Sequence, residues 1–205
     1  MLLKNAPGWI SRIVERWQLG GIFNWTAGAP LNFNTSRSSL NQVTNGPPIV
    51  AGNFSKTVGK VTEVAGGVVN YLPGYVQITD PAVSGVTALQ STQTSFTAKA
   101  ITDANGNLVL INPSPGQLGN LGLRWIEGPA NVRLDVNVVK RMRLTETKEF
   151  ELRIDAINVL NHPIFGNPNL DINNASFGRI TTATGTRMFT LNTRLNFLDG
   201  NERQC

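Results

Sequence analysis

The sequence has few of the side chains from which active sites and metal sites are most often built. Its 205 residues include one cysteine, Cys205, and one histidine, His162. One cysteine cannot form an internal disulfide bond or a cysteine metal cluster, and one histidine leaves a metal site short of the three or four ligands it needs. We therefore expect no metal and no cofactor, and we interpret His162, which precedes Pro163, as a turn residue.

Charged residues are also scarce. They make up 15% of the chain, against about 25% in typical globular proteins. Lysine and arginine outnumber aspartate and glutamate by 18 to 13, which gives a net charge of +5. The basic residues are scattered, however, and form no cluster of the kind that binds nucleic acid. We therefore expect no nucleic-acid partner.

Long apolar runs are missing as well. No stretch approaches the roughly 18 apolar residues of a membrane-spanning helix. Glycine (20 residues) and proline (11 residues) are plentiful instead, and asparagine and threonine recur throughout. This mixture favours strands and turns over helices, so the composition predicts an all-β protein.

Four segments alternate between apolar and polar residues, as strands with one apolar face do. They are residues 17–33, 131–144, 148–160 and 186–197. A helix also fits 149–160, but the neighbouring segments alternate cleanly and a three-residue turn joins 131–144 to 148–160, so we favour a strand. Residues 34–130 have only weak periodicity, and we expect a long functional loop there rather than a core.

These strands, at about 12 residues, exceed the five or six residues common in soluble proteins and match the tilted strands that cross a bilayer. A soluble sandwich would bury the apolar face as its core, whereas an outer-membrane barrel turns it to lipid and lines its lumen with the polar face. The lumen-facing candidates are then Arg133, Asp135, Arg141, Arg143, Glu149, Glu151, Arg153, Asp155 and Arg194. The candidates for the lipid face and its aromatic girdle are Trp17, Phe23, Trp25, Phe150, Phe189 and Phe197.

Connection lengths favour the barrel. If the last strand ends in the periplasm, the short turn 144–147 is periplasmic, and both 34–130 and 161–185 are extracellular. Short periplasmic turns and long extracellular loops are typical of outer-membrane barrels, whereas a soluble sandwich has no reason to separate its connections by length. The sequence therefore predicts an antiparallel meander of long strands, a partial transmembrane β-barrel with a long extracellular loop.

Charge predicts how 131–144 pairs with 148–160. Placing Arg141 beside Glu151 and Arg143 beside Glu149 sets opposite charges together, whereas a shift by one pair sets Arg141 against Arg153. Opposite charges on neighbouring strands favour pairing and like charges oppose it. We therefore predict the first register.

The acidic residues also raise the question of catalysis. Glu149, Glu151 and Asp155 share one strand face, but no nucleophile or oxyanion arrangement accompanies them. Lumen-lining charge explains them better, because arginines of the neighbouring strand face them. We therefore expect no enzymatic activity. Trp17 and Trp25 fit an interfacial girdle and a sugar-stacking role equally well.

Two parts of the chain resemble a known family. GQLGNLGLRWIEGPANVRLDVNVVKRMRLTETKEFELRIDAINVLNHPIFGNPN (116–169), followed by SFGRI and RMFTLNTRLNF, is similar to the C-terminal end of TonB-dependent outer-membrane receptors. Within that family it looks most like the Oar-like group with a carboxypeptidase-regulatory-like N-terminal domain. WQLGGIFNWTAGAPLNF (17–33) resembles an earlier strand of the same barrels.

The resemblance implies a barrel of about 22 strands with a plug domain in the outer membrane of a Gram-negative bacterium. Such a receptor takes up a large substrate with energy from the inner-membrane TonB system, so the implied partners are outer-membrane lipid, the rest of the barrel, the plug and, through the plug, TonB. The substrate is not implied. We expect residues 1–205 to be a C-terminal fragment that supplies barrel wall and extracellular loop. The alternative is a secreted β-rich module that binds glycan or protein through its long loop.

Overall fold

The structure is a computed structural model, which describes residues 14–36, 46–54, 56, 59–64, 66–82, 98–114 and 117–197. It separates into two compact units. The sheet unit comprises residues 14–25, 132–164 and 185–197, and the loop unit comprises the described residues between 26 and 131 together with 165–184. No helix in the described part of the chain is both long and apolar enough to cross a membrane.

The described residues form short and long β-strands, numbered in chain order. They are β1 (Trp17–Thr26), β2 (Pro30–Leu31), β3 (Ile49–Val50), β4 (Thr62–Val64), β5 (Val68–Asn70), β6 (Val76–Thr79), β7 (Lys99–Thr102), β8 (Leu108–Ile111), β9 (Ile126–Glu127), β10 (Asn131–Arg143), β11 (Lys148–Ile157), β12 (Ile164–Phe165), β13 (Arg179–Ile180), β14 (Ala183–Thr184) and β15 (Met188–Phe197). Only β1, β10, β11 and β15 reach ten residues or more.

The four long strands form one antiparallel sheet in the order β1-β10-β11-β15. Arg141 pairs with Glu151 and Arg143 with Glu149, so the register predicted from charge is confirmed. On the other side of β11, the pairing runs from Lys148 opposite Phe197 to Ile157 opposite Met188. The sheet is open within the described residues, as expected for part of a barrel.

Two of the long strands end earlier than predicted, each at a point where the backbone geometry changes. β1 ends at Thr26 rather than at residue 33. The Gly28 backbone then approaches Gly128 so closely that an added Cβ would lie 1.8 Å from the Gly128 carbonyl oxygen. β11 ends at Ile157 rather than at residue 160, because Asn158 has a φ of 50°. That left-handed conformation cannot continue a strand. At the other two strands the bounds shift by only one or two residues, to 131–143 and 188–197.

The loop unit contains the hydrophobic core. Its buried apolar side chains are Phe33, Phe54, Tyr71, Leu72, Ile101, Val109, Leu110, Leu121, Ile126, Leu170, Ile172 and Ile180. They come together through short strands paired in the orders β3-β8-β7-β6 and β13-β5-β4. The connection between β1 and β10 is long, as predicted, but the expectation that it lacks a core is wrong. The strands around this core have only two to four residues each, too few to show a period in the sequence.

Asparagine and aspartate side chains hold the turns of the loop unit. A hairpin turn at 103–107 joins β7 to β8, and the Asp103 carboxylate accepts hydrogen bonds from the backbone N–H groups of Asn105 (2.9 Å) and Asn107 (2.8 Å). The Asn107 side-chain amide also donates to this carboxylate, and it is the largest of the hydrogen bonds that lower the Asp103 pKa. This explains part of the asparagine richness of the sequence.

Several buried polar groups in this unit are also hydrogen-bonded, although the indole N–H of Trp125 and the side-chain oxygen of Asn131 are buried without a partner among the described residues. The Asn112 amide donates to the carboxylate of Asp80 (3.2 Å) and to the carbonyl of Lys99 (2.8 Å). It accepts a 2.7 Å hydrogen bond from Asn173. Burial raises the pKa of Tyr71, whose hydroxyl donates to the Glu127 carbonyl at 2.8 Å. These bonds fix segments that lie far apart in the chain.

Candidate functional site

One face of the sheet carries almost all of its charge. Cα pairing places Arg141, Glu151 and Arg194 in one row across β10, β11 and β15. The rest of the face follows from the alternation of each strand. The predicted lumen-facing residues all fall on this polar face: Arg133, Asp135, Arg141, Arg143, Glu149, Glu151, Arg153, Asp155 and Arg194.

The charges on the polar face form ion pairs. Arg141 contacts Glu151 across the strands at 2.7 Å, whereas Arg133 contacts Asp135 and Arg153 contacts Asp155 along one strand, at 2.8 and 2.9 Å. The arginine side chains are 40–49% exposed, and ion pairs exposed to solvent contribute little to stability. Their main effect is to present a balanced, hydrated surface.

Arg16 belongs to this surface, although the alternation did not predict it. Its guanidinium lies 3.2 Å from the Glu149 carboxylate. Arg16 has a φ of 62°, which interrupts the extended backbone immediately before β1. The alternation of apolar and polar residues along β1 therefore does not include Arg16. With Gln18, Arg141 and Glu149 it lines a cavity of about 380 Å³. The cavity offers amide, guanidinium and carboxylate groups, which suit polar ligands and water.

The position of His162 is that of a turn residue. His162 is exposed and lies in the turn after β11, where its backbone N–H donates to the Asn158 side chain at 3.2 Å. In the described part of the chain, no three His, Cys, Asp or Glu side chains lie close enough together to hold a metal ion.

The opposite face of the sheet is apolar, and most of its aromatic side chains are exposed. It carries all of the predicted girdle residues: Trp17, Phe23, Trp25, Phe150, Phe189 and Phe197. Trp25 is 68% exposed and Phe197 is 67% exposed. The described core cluster lies wholly in the loop unit, so the sheet does not bury this face as a soluble sandwich would. Apolar surfaces of this kind mark a contact with lipid or another protein.

Large aromatic residues mark both ends of the apolar face. Trp17 and Trp25 are eight positions apart on β1, and Phe189 and Phe197 are eight positions apart on β15. Eight residues of a strand span about 26 Å. At a strand tilt of about 40° this corresponds to a height of about 20 Å, close to the apolar band of outer-membrane barrels.

The two aromatic pairs are staggered across the sheet. The Trp17 ring lies 5.2 Å from the Lys140 ammonium group, and the row of Lys140 continues through Leu152 to Thr193. Phe197 lies four residues beyond Thr193 on β15. Four residues along a strand cover about 13 Å, and three spacings between neighbouring strands cover about 14 Å. A line from Trp17 to Phe197 therefore lies about 40° away from the perpendicular to the strands. This angle is the tilt of the strands from the membrane normal when the line is parallel to the membrane. Strands of outer-membrane barrels tilt by about 35–45°.

A buried asparagine, which sequence reasoning missed, ends β11. Asn158 is 1% exposed, and its backbone N–H donates to the Asp135 carboxylate at 2.8 Å. Its side-chain amide donates to the carbonyls of His162 (3.0 Å) and Gly185. Asp135 therefore caps this turn as well as carrying charge on the polar face. The signal in the sequence is an asparagine at a strand end, because asparagine tolerates the left-handed conformation.

Comparison with known families agrees with this geometry. A family model described as an outer membrane beta barrel domain matches residues 1–191. The chain belongs to the outer membrane beta barrel domain family. Searches of curated proteins and of solved structures found no match.

Family membership and geometry together establish the fold and the location of this outer membrane β-barrel chain. It is an all-β antiparallel partial barrel, located in the outer membrane. The two remaining edges of the described sheet belong to β1 and β15. A barrel in lipid leaves no such edge unpaired.

Replacing Asn158 with alanine is expected to lower the free energy of unfolding by about 3 kcal/mol, because it leaves buried partners unpaired. Asn161→Ala is the matched control. The φ of Asn161 is 51°, so backbone strain is the same, but Asn161 is exposed and no side-chain hydrogen bond is present for it in the described structure. Urea unfolding of the micelle-folded protein, followed by tryptophan fluorescence, measures both. Equal decreases in the free energy of unfolding of the two variants would show that the cost comes from placing alanine in a left-handed conformation and not from the lost hydrogen bonds of Asn158.

Proposed function

We propose that the chain supplies barrel wall and extracellular loop to a TonB-dependent receptor that takes up a large substrate across the outer membrane. In this proposal the polar face lines the lumen and the apolar face contacts lipid. The observation that carries the proposal is the pair of opposed faces with aromatic boundaries, staggered by four residues across the sheet. The family match favours this function over that of a secreted binding module.

The ends of the strands support the orientation. The short turn at 144–147 lies at one end of the sheet, and both long connections begin and end at the other, where Ile157 is opposite Met188. Outer-membrane barrels place short turns in the periplasm, so we assign the long connections to the cell exterior. The loop unit has a core and paired polar groups, which would give the substrate an ordered surface.

The assignment to TonB-dependent receptors depends on the resemblance of residues 17–33 and 116–197 to that family. In such a receptor further strands would pair with the edges of β1 and β15, a plug would fill the lumen, and TonB would act through the plug. The balanced ion pairs of the polar face suit a hydrated wall beside a plug. The segment would thus serve binding and transport rather than catalysis.

Spin labels placed along β11 test the membrane proposal. In a Cys205→Ser background, single cysteines replace residues 150–156 one at a time, and each carries a nitroxide. We expect labels at 150, 152 and 154 to be accessible to oxygen dissolved in lipid, and labels at 151, 153 and 155 to be accessible to a water-soluble nickel complex, because strand side chains alternate. Electron paramagnetic resonance in vesicles measures both accessibilities. Equal accessibility of the two sets to the nickel complex would contradict the proposal.

Energy dependence tests the TonB assignment. In cells that produce the receptor carrying this segment, uptake of its substrate is expected to stop when an uncoupler collapses the proton gradient, because TonB draws on that gradient. Entry of a small solute through passive porins serves as the control and should continue. Uptake that persists at the same rate with the uncoupler would show a passive pore and would exclude TonB-dependent transport.

A further inference from the structure

A second cavity lies within the loop unit. Its volume is about 370 Å³, and the residues that line it all belong to that unit. A cavity of this size is at the small end of the range that binds ligands in proteins, about 300–1,000 Å³. It therefore has room for a small part of a large substrate.

The apolar part of the lining is already formed by the fold. Leu170 lines the cavity as a member of the buried core, and Leu31 packs against that core. Pro47 and Pro168 also line it, and the proline ring fixes the backbone φ. The backbone N–H of Asn34 donates to the Leu170 carbonyl at 3.2 Å, which joins two sides of the cavity. A ligand would bind here without the entropic cost of ordering these walls.

One apolar side chain of the lining is left in water. Leu123 is 74% exposed, and it precedes Arg124, whose φ is 56°. This left-handed conformation is strained for a residue other than glycine. The Asn32 side chain stabilises it, because its oxygen accepts a 2.6 Å hydrogen bond from the Arg124 backbone N–H. A strained turn thus keeps Leu123 exposed at the cavity, where a ligand would bury it.

The polar groups of the lining are neutral amides. None of the described residues that line the cavity is charged, and a charged ligand would lose hydration there without gaining a partner. The side-chain NH₂ of Asn32 and the side-chain amide of Asn34 have no hydrogen-bond partner among the described residues. Such an amide offers donors and an acceptor together, which is what a peptide group needs.

The arrangement suits a peptide better than a sugar. Strand pairing brackets the two asparagines, in β2 and at the bridge between Asn34 and Asp171. Two residues of an extended chain span about 7 Å, so the amides of Asn32 and Asn34 match the spacing of alternate peptide groups in a second extended chain. A sugar ring would instead stack on an exposed aromatic face, and the aromatic residue of this lining, Phe33, is 3% exposed.

We propose that this cavity binds a leucine-like side chain of an extended, uncharged peptide segment. In the complex Leu123 packs against that side chain, and the neighbouring peptide groups hydrogen-bond to Asn32 and Asn34. The neutral lining selects a neutral segment. The inference rests on the proposed function and deepens it, because the transported substrate would be a protein or peptide that presents such a segment to the loop unit.

The test measures binding to the full chain in detergent micelles. The main probe is an acetylated and amidated pentapeptide of glycine, serine, leucine, serine and glycine, and two further peptides carry alanine or aspartate in place of the leucine. A neutral maltooligosaccharide is the fourth probe. All carry the same fluorophore, and fluorescence anisotropy gives each Kd, with protein-free micelles as the blank. We expect the leucine peptide to bind about tenfold more tightly than the alanine peptide, and the other two probes not to bind.

Paired variants locate the site. Leu123→Ser is expected to weaken binding of the leucine peptide about tenfold, because it removes an apolar contact. Leu118→Ser is the matched control: Leu118 is exposed in the same segment but does not line the cavity, so binding should not change. Gly46→Leu should weaken binding as well. Gly46 lines the cavity and an added Cβ there meets no atom within 4 Å, so the new side chain takes up space without a clash.

Each outcome decides between the alternatives. Binding that Leu123→Ser and Gly46→Leu weaken and Leu118→Ser does not supports the site. No binding, an equal loss in Leu118→Ser, or tighter binding of the aspartate peptide overturns it. Oligosaccharide binding that depends on Leu123 overturns the choice of a peptide.

The uptake experiment separates this site from the proposed function. Uptake that stops with the uncoupler, in a protein that does not bind the leucine peptide, overturns the site and leaves TonB-dependent transport standing. Peptide binding that depends on Leu123, together with uptake that persists with the uncoupler, overturns the TonB assignment and supports the cavity as a peptide site.

Discussion

Successive side chains of a β-strand point to opposite faces of the sheet, and the sheet unit satisfies this constraint over four long strands. Each charged residue of the polar face has an apolar neighbour in the chain that points to the other face. A shift of one residue in the pairing of a strand would therefore move its charged side chains to the apolar face and its apolar side chains to the polar face. The pairing of Arg141 with Glu151 fixes the register of β10 and β11. That register determines which residues of these two strands share a row on each face.

The distribution of apolar residues differs between the two units. The loop unit buries its apolar side chains, with Ile101 and Leu110 fully inaccessible. The sheet unit leaves Trp25 and Phe197 more than half exposed. The long strands expose their apolar side chains, whereas the connecting segment buries its own in a core. This distribution suits a sheet surrounded by lipid and a loop surrounded by water.

Sequence reasoning found the long strands and their faces because both depend on local alternation. It also found the β10–β11 register, because Arg141, Glu151 and Arg153 leave few acceptable pairings. It did not find the core around Ile101 and Leu110, since the strands that form it have only two to four residues, too few to show a period, and β3 pairs with the distant β8. Asn158 was missed for a related reason: its role depends on Asp135 and Gly185, which are far from it in the chain.

The central claim is that the sheet crosses the membrane as a tilted wall with its apolar face toward lipid. Polarised infrared spectroscopy of the protein in oriented bilayers measures it directly, because the dichroism of the amide bands reports the angle between the strands and the membrane normal. The aromatic stagger predicts a tilt of about 40°. Strands that lie in the plane of the membrane, or that have no preferred orientation, would contradict the claim.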